Sequence, residues 1–497
     1  MRTLYHIYLV IGITLLLSAC MVGPDYRRPT AVVPTQYKEA KGKKTIVSAN
    51  TARYKDWKIA EPRDDAPRGE WWKIFNDPIL NQLEEQLMLA NQTIINADAN
   101  YRQARALVDE ARAGFFPIVT GSVTVTRQRR GQGSTEFVSA GGSSSSGTAV
   151  TGGGSRLSTT NTLFLEASWE PDIWGSVRRA VEASQAGAEA NAALLGATQL
   201  SAQATLAQTY FELRGIDADQ KLLNDTVTSY KKALKLTQHQ YAAGVASRAD
   251  VVQAQSQLEA AQAQAINNGI ARAQYEHAIA VLVGVPPADF SLSPRPFKAT
   301  PPPIPLTVPS MLLERRPDIA QAERLMAQAN AEIGVAIATY FPALTLTGNA
   351  SSTGQNLGHW ISLPAIGWAY GPQLAETIFD GGLRQATVTA ARANYDATVA
   401  TYRQTVLAAF QEVEDNLAAL RILGAEAAVQ KQAVNSAQQA LKIIVNQYKA
   451  GTTDYTSVML AQTVAFAAEK NWVDVEYARM TAAVGLIKSL GGGWNQS

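Results

Sequence analysis

The residues able to do chemistry are few and scattered. Four histidines occur in 497 residues. His239, His277 and His359 have no cysteine or acidic partner at a metal-ligand spacing, so no metal site is expected. No nucleophile elbow or phosphate loop is present. Gly152-Gly153-Gly154 is loop composition, and Gly491-Gly492-Gly493 lacks the strand–turn–helix setting of a nucleotide site. These absences argue against an enzyme and leave no cofactor to expect. The balance of 44 basic against 42 acidic side chains, a net +2, gives no electrostatic case for nucleic acid. The one position whose setting prescribes chemistry is Cys20, the single cysteine, so no intrachain disulfide can form.

Cys20 closes a targeting segment, residues 1–19. Arg2 is its positive region and Tyr8 to Leu17 its apolar stretch, too short to span a bilayer as a helix. Leu17-Ser18-Ala19-Cys20 resembles the lipobox of bacterial lipoproteins, which are cut before the cysteine and then acylated on its thiol and new amino terminus. Stable anchoring takes more than one chain, because each buried methylene contributes only ~0.8 kcal/mol. The other reading is an ordinary signal peptide with a buried cysteine beyond it. The position of the lone cysteine at the cleavage point favours the lipid anchor. Met21 follows, not the aspartate that tends to retain lipoproteins at an inner membrane; this resembles the outer-membrane sorting pattern.

The remaining chain is written twice. Gly114-Phe115-Phe116-Pro117 returns as Thr339-Tyr340-Phe341-Pro342, Gly175-Ser176-Val177-Arg178 as Gly381-Gly382-Leu383-Arg384, and Tyr241-Ala242-Ala243-Gly244 as Tyr448-Lys449-Ala450-Gly451. From Gly175 to Gly381 is 206 residues and from Tyr241 to Tyr448 is 207; from Gly114 to Thr339 is 225. The surplus falls where residues 141–155 form a Gly/Ser-rich loop. The expected organisation is an equatorial segment over 20–75, copies over 76–290 and 310–490, a Pro-rich linker over 291–309 and a tail over 491–497.

Each copy predicts one helix ending before Phe-Pro. The starts are marked by Asp77-Pro78 and by Arg316-Pro317-Asp318. Strand hairpins follow within 118–171 and 343–379, then a very long helix (176–241, 382–448), a capping glycine, and a return helix (249–283, 456–489). The strands alternate with period two: Val119, Val123 and Val125 against Thr120, Ser122 and Thr124; Leu163, Leu165, Ala167 and Trp169 against Glu166 and Ser168; Leu344 and Leu346 against Thr345 and Thr347. Trp360, Trp368 and Tyr370 lie on or near the last strand. Such alternation suits a transmembrane barrel and equally a half-buried soluble sandwich.

The helices separate these readings. A run of about 65 residues is ~100 Å long, more than any compact core needs. Val227, Tyr230, Leu234, Thr237 and Tyr241 step by 3 and 4 like a coiled coil, as do Val434, Ala437, Leu441, Ile444 and Tyr448. Runs such as Ala254-Gln255-Ser256-Gln257 let helices approach closely while keeping a wet face. Four strands cannot close a barrel, and open edges are not viable in hydrocarbon, so closure demands several copies. Two copies would give a filled interior, three a lumen.

The chain resembles the outer membrane factors of the TolC/OprM type, in particular the lipoprotein branch that serves resistance–nodulation–division pumps. The likeness covers nearly all of it. It is carried by the lipobox with Gly23-Pro24-Asp25-Tyr26, Trp71-Trp72 with Asp77-Pro78, and Phe115-Phe116-Pro117. Also carrying it are Trp169-Glu170-Pro171-Asp172-Ile173-Trp174-Gly175, Gly244-Val245-Ala246-Ser247, Arg315-Arg316-Pro317-Asp318-Ile319 and Leu490-Gly491-Gly492-Gly493-Trp494.

The resemblance implies an α+β membrane protein. In it, a homotrimeric outer-membrane β-barrel, four strands per chain, continues into a long periplasmic α-helical barrel with a mixed equatorial domain. It implies a passive duct for small toxic compounds such as drugs, anchored in outer-membrane lipid. A periplasmic adaptor would open it, and an inner-membrane pump would drive export with the proton gradient. The hairpin turns at Gly244 and Gly451 would form the closing tip. Tyr241, Asp250 and Tyr448 would lie there, with Asp250 and Tyr448 matching positions used in the constriction. Relatives place acidic residues on the second hairpin. Here those positions are Ser457 and Leu460, which leaves two equal readings of Leu460: an apolar ring that gates by dewetting, or a side chain packed against the neighbouring helix. Two other readings remain, a duct for type I protein secretion and a structural periplasmic coiled-coil lipoprotein.

Overall fold

The computed structural model describes residues 21–40, 69–129, 157–295, 300–304, 309–354 and 366–492. Cys20, the targeting segment, the loop 141–155, Trp360 and Gly493-Trp494 lie outside the described residues.

In chain order come α1 (Pro78–Ala90), α2 (Gln92–Ala113), β1 (Ile118–Arg129), β2 (Leu157–Trp169), α3 (Ser176–Ala242) and α4 (Arg248–Leu282). Then follow α5 (Leu312–Arg315), α6 (Pro317–Ala338), β3 (Ala343–Gly354), β4 (Ile366–Ala375), α7 (Leu383–Lys449) and α8 (Tyr455–Ser489). Lengths match in pairs. α2 and α6 each have 22 residues, α3 and α7 each 67, and α4 and α8 each 35.

One expectation is corrected. The stretch between Asp77 and Phe115 is two helices, not one. Asn91 breaks it: its backbone turns extended at ψ 119, its Oδ1 accepts from the amides of Thr93 and Ile94 at 3.0 Å each, and its Nδ2 donates to the Leu282 carbonyl at 2.7 Å. An asparagine that caps the next helix competes with the helix it ends. The helix begun at Pro317 therefore pairs in length with the one begun at Gln92, not with that begun at Pro78.

The chain divides into two compact units. One comprises Met1–Tyr26, Ala106–Gln185 and Gln328–Tyr395; the other comprises Arg27–Arg105, Ala186–Ala327 and Asp396–Ser497. The first holds the sheet, an antiparallel meander in the order β1-β2-β3-β4. The second holds the main helical core. There Trp71, Trp72 and Phe75 are buried with Leu80, Leu87, Tyr210 and Phe211. The Phe75 and Phe211 rings lie 4.9 Å apart, and the Tyr210 hydroxyl donates to Asp77 Oδ2 at 2.7 Å. Asp77 thus caps α1, accepting from the Ile79 amide at 2.9 Å, and ties it to α3.

Candidate functional site

The register of the sheet turns sequence alternation into two chemically distinct faces. Directly opposed residues of an antiparallel pair point to the same side. Val119 faces Ala167 and Val123 faces Leu163. Leu165 faces Ala350 and Trp169 faces Leu346. Ala350 faces Trp368, Gly348 faces Tyr370 and Leu344 faces Leu374. All of these lie on one face, which is apolar on all four strands apart from the buried Asn161 and Ser352 toward one end. The opposite face carries Thr120 against Glu166 and Ser122 against Phe164, Ser168 against Thr347, and Thr345 against Gln373. On the apolar face Trp368 and Tyr370 stand exposed and stack with centroids 5.7 Å apart. The pattern has the form of a barrel wall with lipid on one side and water on the other. Among the described residues no helix is long and apolar enough to cross a membrane.

In the same unit, Met21 to Asp25 is moored by Arg179 of α3, which is 1% exposed. Its guanidinium donates to the carbonyls of Val22 and Gly23 at 3.2 Å each. It also pairs with Asp25 at 3.1 Å and with Glu182 at 2.8 Å. The Val22 amide donates to Trp174 O at 3.1 Å, and Asn330 Nδ2 donates to Pro24 O at 2.9 Å. Gly23 (φ +100°) and Gly334 leave the room: a Cβ on Gly334 would meet Arg179 Cγ at 2.7 Å. The motif Gly23-Pro24-Asp25 signalled this segment in the sequence. Arg179, its partner, was not singled out, because nothing local marks a buried arginine.

The hairpin between α3 and α4 and that between α7 and α8 end alike. Gly244 (φ +77°) and Gly451 (φ +73°) are left-handed caps. The amide after each reaches back to the last turn, Val245 to Gln240 O at 2.9 Å and Thr452 to Gln447 O at 3.0 Å. The two hairpins pack on a shared cluster of Tyr230, Leu234, Ala254, Leu258, Tyr448, Tyr455 and Val458, flanked by Val227 and Ile444. Most of these are members of the 3-4 stripes or of the facing return helices.

The tip residues expected from sequence are not equivalent. Tyr448 is buried, whereas Tyr241, one copy earlier, is exposed. The Tyr448 hydroxyl donates to Thr237 Oγ1 at 3.1 Å, its carbonyl accepts from Gln240 Nε2 at 3.1 Å, and its ring meets Tyr455 edge-on at 5.7 Å. Burial pushes the Tyr448 hydroxyl above the usual tyrosine range, and the charge of Asp250 adds to this. Tyr455 is pushed up to about 12, chiefly by burial. Asp250 bonds within its own capping box, its Oδ2 accepting from the Ser247 amide and hydroxyl at 2.9 Å each. Ser457 donates from amide and hydroxyl to Asp454 Oδ1 at 3.0 and 2.6 Å, which holds the Asp454 carboxyl below the usual range. Leu460 is 63% exposed. Sequence reasoning passed over Asp454, although an aspartate immediately before a helical run is a cap signal.

A sheet apolar on one face, joined to helices of 67 residues, defines the class: the wall of an outer-membrane channel carrying long helical hairpins. The model of the family described as outer membrane efflux protein matches residues 83–285 and 308–492, and the chain belongs to that family. The toluene efflux pump outer membrane protein TtgC of Pseudomonas putida is 31% identical over 481 residues, 96% of this chain and 94% of that protein. The pyoverdine export outer membrane protein OpmQ of Pseudomonas aeruginosa is 30% identical, over 88% of this chain and 90% of that one. Among solved structures, the outer-membrane channel OprN superposes with a TM-score of 0.81 at 30% identity, covering 96% of this chain and all of that one. The open state of the Neisseria gonorrhoeae MtrE channel gives 0.77 at 25% identity, covering 95% and 98%. The chain is an outer-membrane efflux channel protein.

Proposed function

We propose that three copies of the chain close one twelve-stranded barrel in the outer membrane, and that their paired helices form a periplasmic tube. Cys20 carries the lipid anchor, and residues 20–75, 291–309 and the tail 491–497 build an equatorial belt. The tube is a passive, water-filled exit duct for small toxic compounds such as drugs. A periplasmic adaptor opens its tip, around Gly244 and Gly451, and an inner-membrane resistance–nodulation–division pump supplies the energy. The observation that carries this reading is the four-stranded sheet with one apolar face and, among the described residues, unpaired outer edges on β1 and β4. A lipid-facing sheet cannot leave backbone donors and acceptors open, so its edges call for further copies.

Aliphatic side chains left exposed on the helices, among them Val252, Ile266 and Val464, support the same assembly. The pairwise equal helix lengths support an internal duplication, with copies over 76–290 and 310–490. Relatives named for toluene efflux and pyoverdine export support small-molecule cargo.

The test is planar-bilayer conductance of the detergent-extracted oligomer with its mass measured alongside. Discrete openings from an acylated trimer are expected. A monomer without conductance would overturn the reading.

A further inference from the structure

The two turns that lead from sheet to helix are used unequally. β2 leaves the sheet through Glu170 to Gly175, and β4 through Glu376 to Gly382. Because β2 pairs with β3, the first turn lies against the Phe-Pro motif that precedes β3. There the Trp174 ring stacks on Phe341 at 4.8 Å and an interplanar angle of 22°, and Trp174 Nε1 donates to the Pro342 carbonyl at 2.8 Å. The second turn meets the same motif from its other side, where the Arg384 guanidinium lies 5.3 Å over the Tyr340 ring, but its outer tip has no aromatic seat among the described residues. Ile378 is 96% and Phe379 88% exposed, and the ring of the other Phe-Pro motif, Phe116 before β1, is 69% exposed. On its inner side that motif does have a partner, since Trp169 Nε1 donates to the Phe115 carbonyl at 3.0 Å. Among the described residues the chain thus holds one turn whose outer rim is open, at the β4 edge, and one motif open on its outer side, at the β1 edge.

We propose that Phe379 of one copy seats on Phe116 of the next, an apolar clasp between copies that repeats the intrachain contact of Trp174 with Phe341. The clasp rests on the assembly proposed above. Pairing of β4 with β1 of a neighbour brings the second turn to the first motif, as β2–β3 pairing brings the first turn to the second motif. The step of 206 residues from Gly175 to Gly381 carries Trp174 to Asp380, directly beside Phe379, so the ring arrives one position earlier. Asp380 is already engaged, accepting from the Gly382 amide at 2.9 Å and from Arg384 Nε at 2.7 Å. This sets the turn and leaves Ile378 and Phe379 to face outward. Two large rings left in water cost free energy that stacking between copies recovers.

The test uses Phe116→Cys and Phe379→Cys, singly and together, in outer membranes treated with a short bis-methanethiosulfonate linker. A lysine-reactive cross-linker scores assembly in parallel. Covalent dimers and trimers in the double variant only are expected. Trimers seen with the lysine reagent but no thiol link would overturn the clasp and leave the assembly standing. Absence of multimers with both reagents would overturn both.

As a second measurement, Phe116→Ala and Phe379→Ala should each lower the dissociation temperature of the oligomer, and their combination should add little to either. Fully additive effects would overturn the clasp. So would quenching of a Phe379→Trp variant by brominated lipid in assembled trimers, because it would place this ring in the bilayer.

Discussion

Tyr448 and Thr237 are joined by a hydrogen bond of 3.1 Å from the tyrosine hydroxyl to the threonine Oγ1, and the Thr237 hydroxyl in turn donates to the Ala233 carbonyl at 3.0 Å. This buried bond links the last turns of the two long helices. Tyr448→Phe leaves Thr237 without its donor and should destabilise the tip locally by about 1 kcal/mol. Faster amide exchange confined to the hairpin ends around Gly244 and Gly451, with the sheet unaffected, is the expected readout. Unchanged exchange would remove this bond from any role in restraining the tip.

Gly334 sets the space for Arg179. Gly334→Val drives side-chain carbon into the guanidinium stem, and Arg179→Ala empties a buried site with several bonds. Each should destabilise the mooring of residues 21–25, Arg179→Ala by about 1–2 kcal/mol through the carbonyls of Val22 and Gly23 that lose their donor, since Asp25 and Glu182 stay solvated. Limited proteolysis should then cut near Asp25 at a rate the parent chain does not show.

Glu84 is fully buried, both its carboxylate oxygens lack a partner among the described residues, and burial pushes its pKa up to about 9. The folded chain therefore keeps a proton that the unfolded chain loses above the ordinary value of 4.5. Between that value and about 9, stability falls as pH rises, because the native state binds more protons than the unfolded one. Glu84→Gln removes the slope and should stabilise the chain at neutral pH by roughly 3 kcal/mol. Melting temperatures from pH 5 to 9 that track the parent chain would show that Glu84 is charged in the fold.

Ser247 and Asp454 hold equivalent caps by different chemistry. Ser247→Ala removes the acceptor for the Asp250 amide, 3.2 Å away, and should cost about 1 kcal/mol in α4. Asp454→Asn keeps a good cap while deleting a charge. It should leave the melting temperature in place, and any change in cation selectivity of the channel would then report the charge alone.

Leu460 stands exposed on the first turns of α8. Under the proposed tip arrangement it narrows the closed end by excluding water. Leu460→Gly should raise the closed-state conductance several-fold; an unchanged single-channel record would assign the constriction to other residues.

The long elements were legible from residue types alone. The 3-4 stripe from Val227 to Tyr241 and the glycines at 244 and 451 locate α3, α4, α7 and α8 to within a residue or so, and the Phe-Pro motifs mark where α2 and α6 give way to strands, since helix periodicity, left-handed caps and proline stops act over a few neighbours. Period-two alternation likewise fixed which residues share a strand face. The break at Asn91 was not legible, because an asparagine stops a helix there only when its side chain finds Leu282, which lies 191 residues away in sequence.

The tertiary structure alone decided three matters. The strand register joined four separate alternations into one apolar face. Tyr448 was buried while Tyr241, an identical residue in an equivalent place, stayed exposed. Arg179 was chosen to hold the segment from Met21 to Asp25. Each depends on contacts between residues far apart in sequence. Local pattern gives a residue its secondary structure and its side of the chain, whereas burial and partnership belong to whatever the folded chain brings opposite.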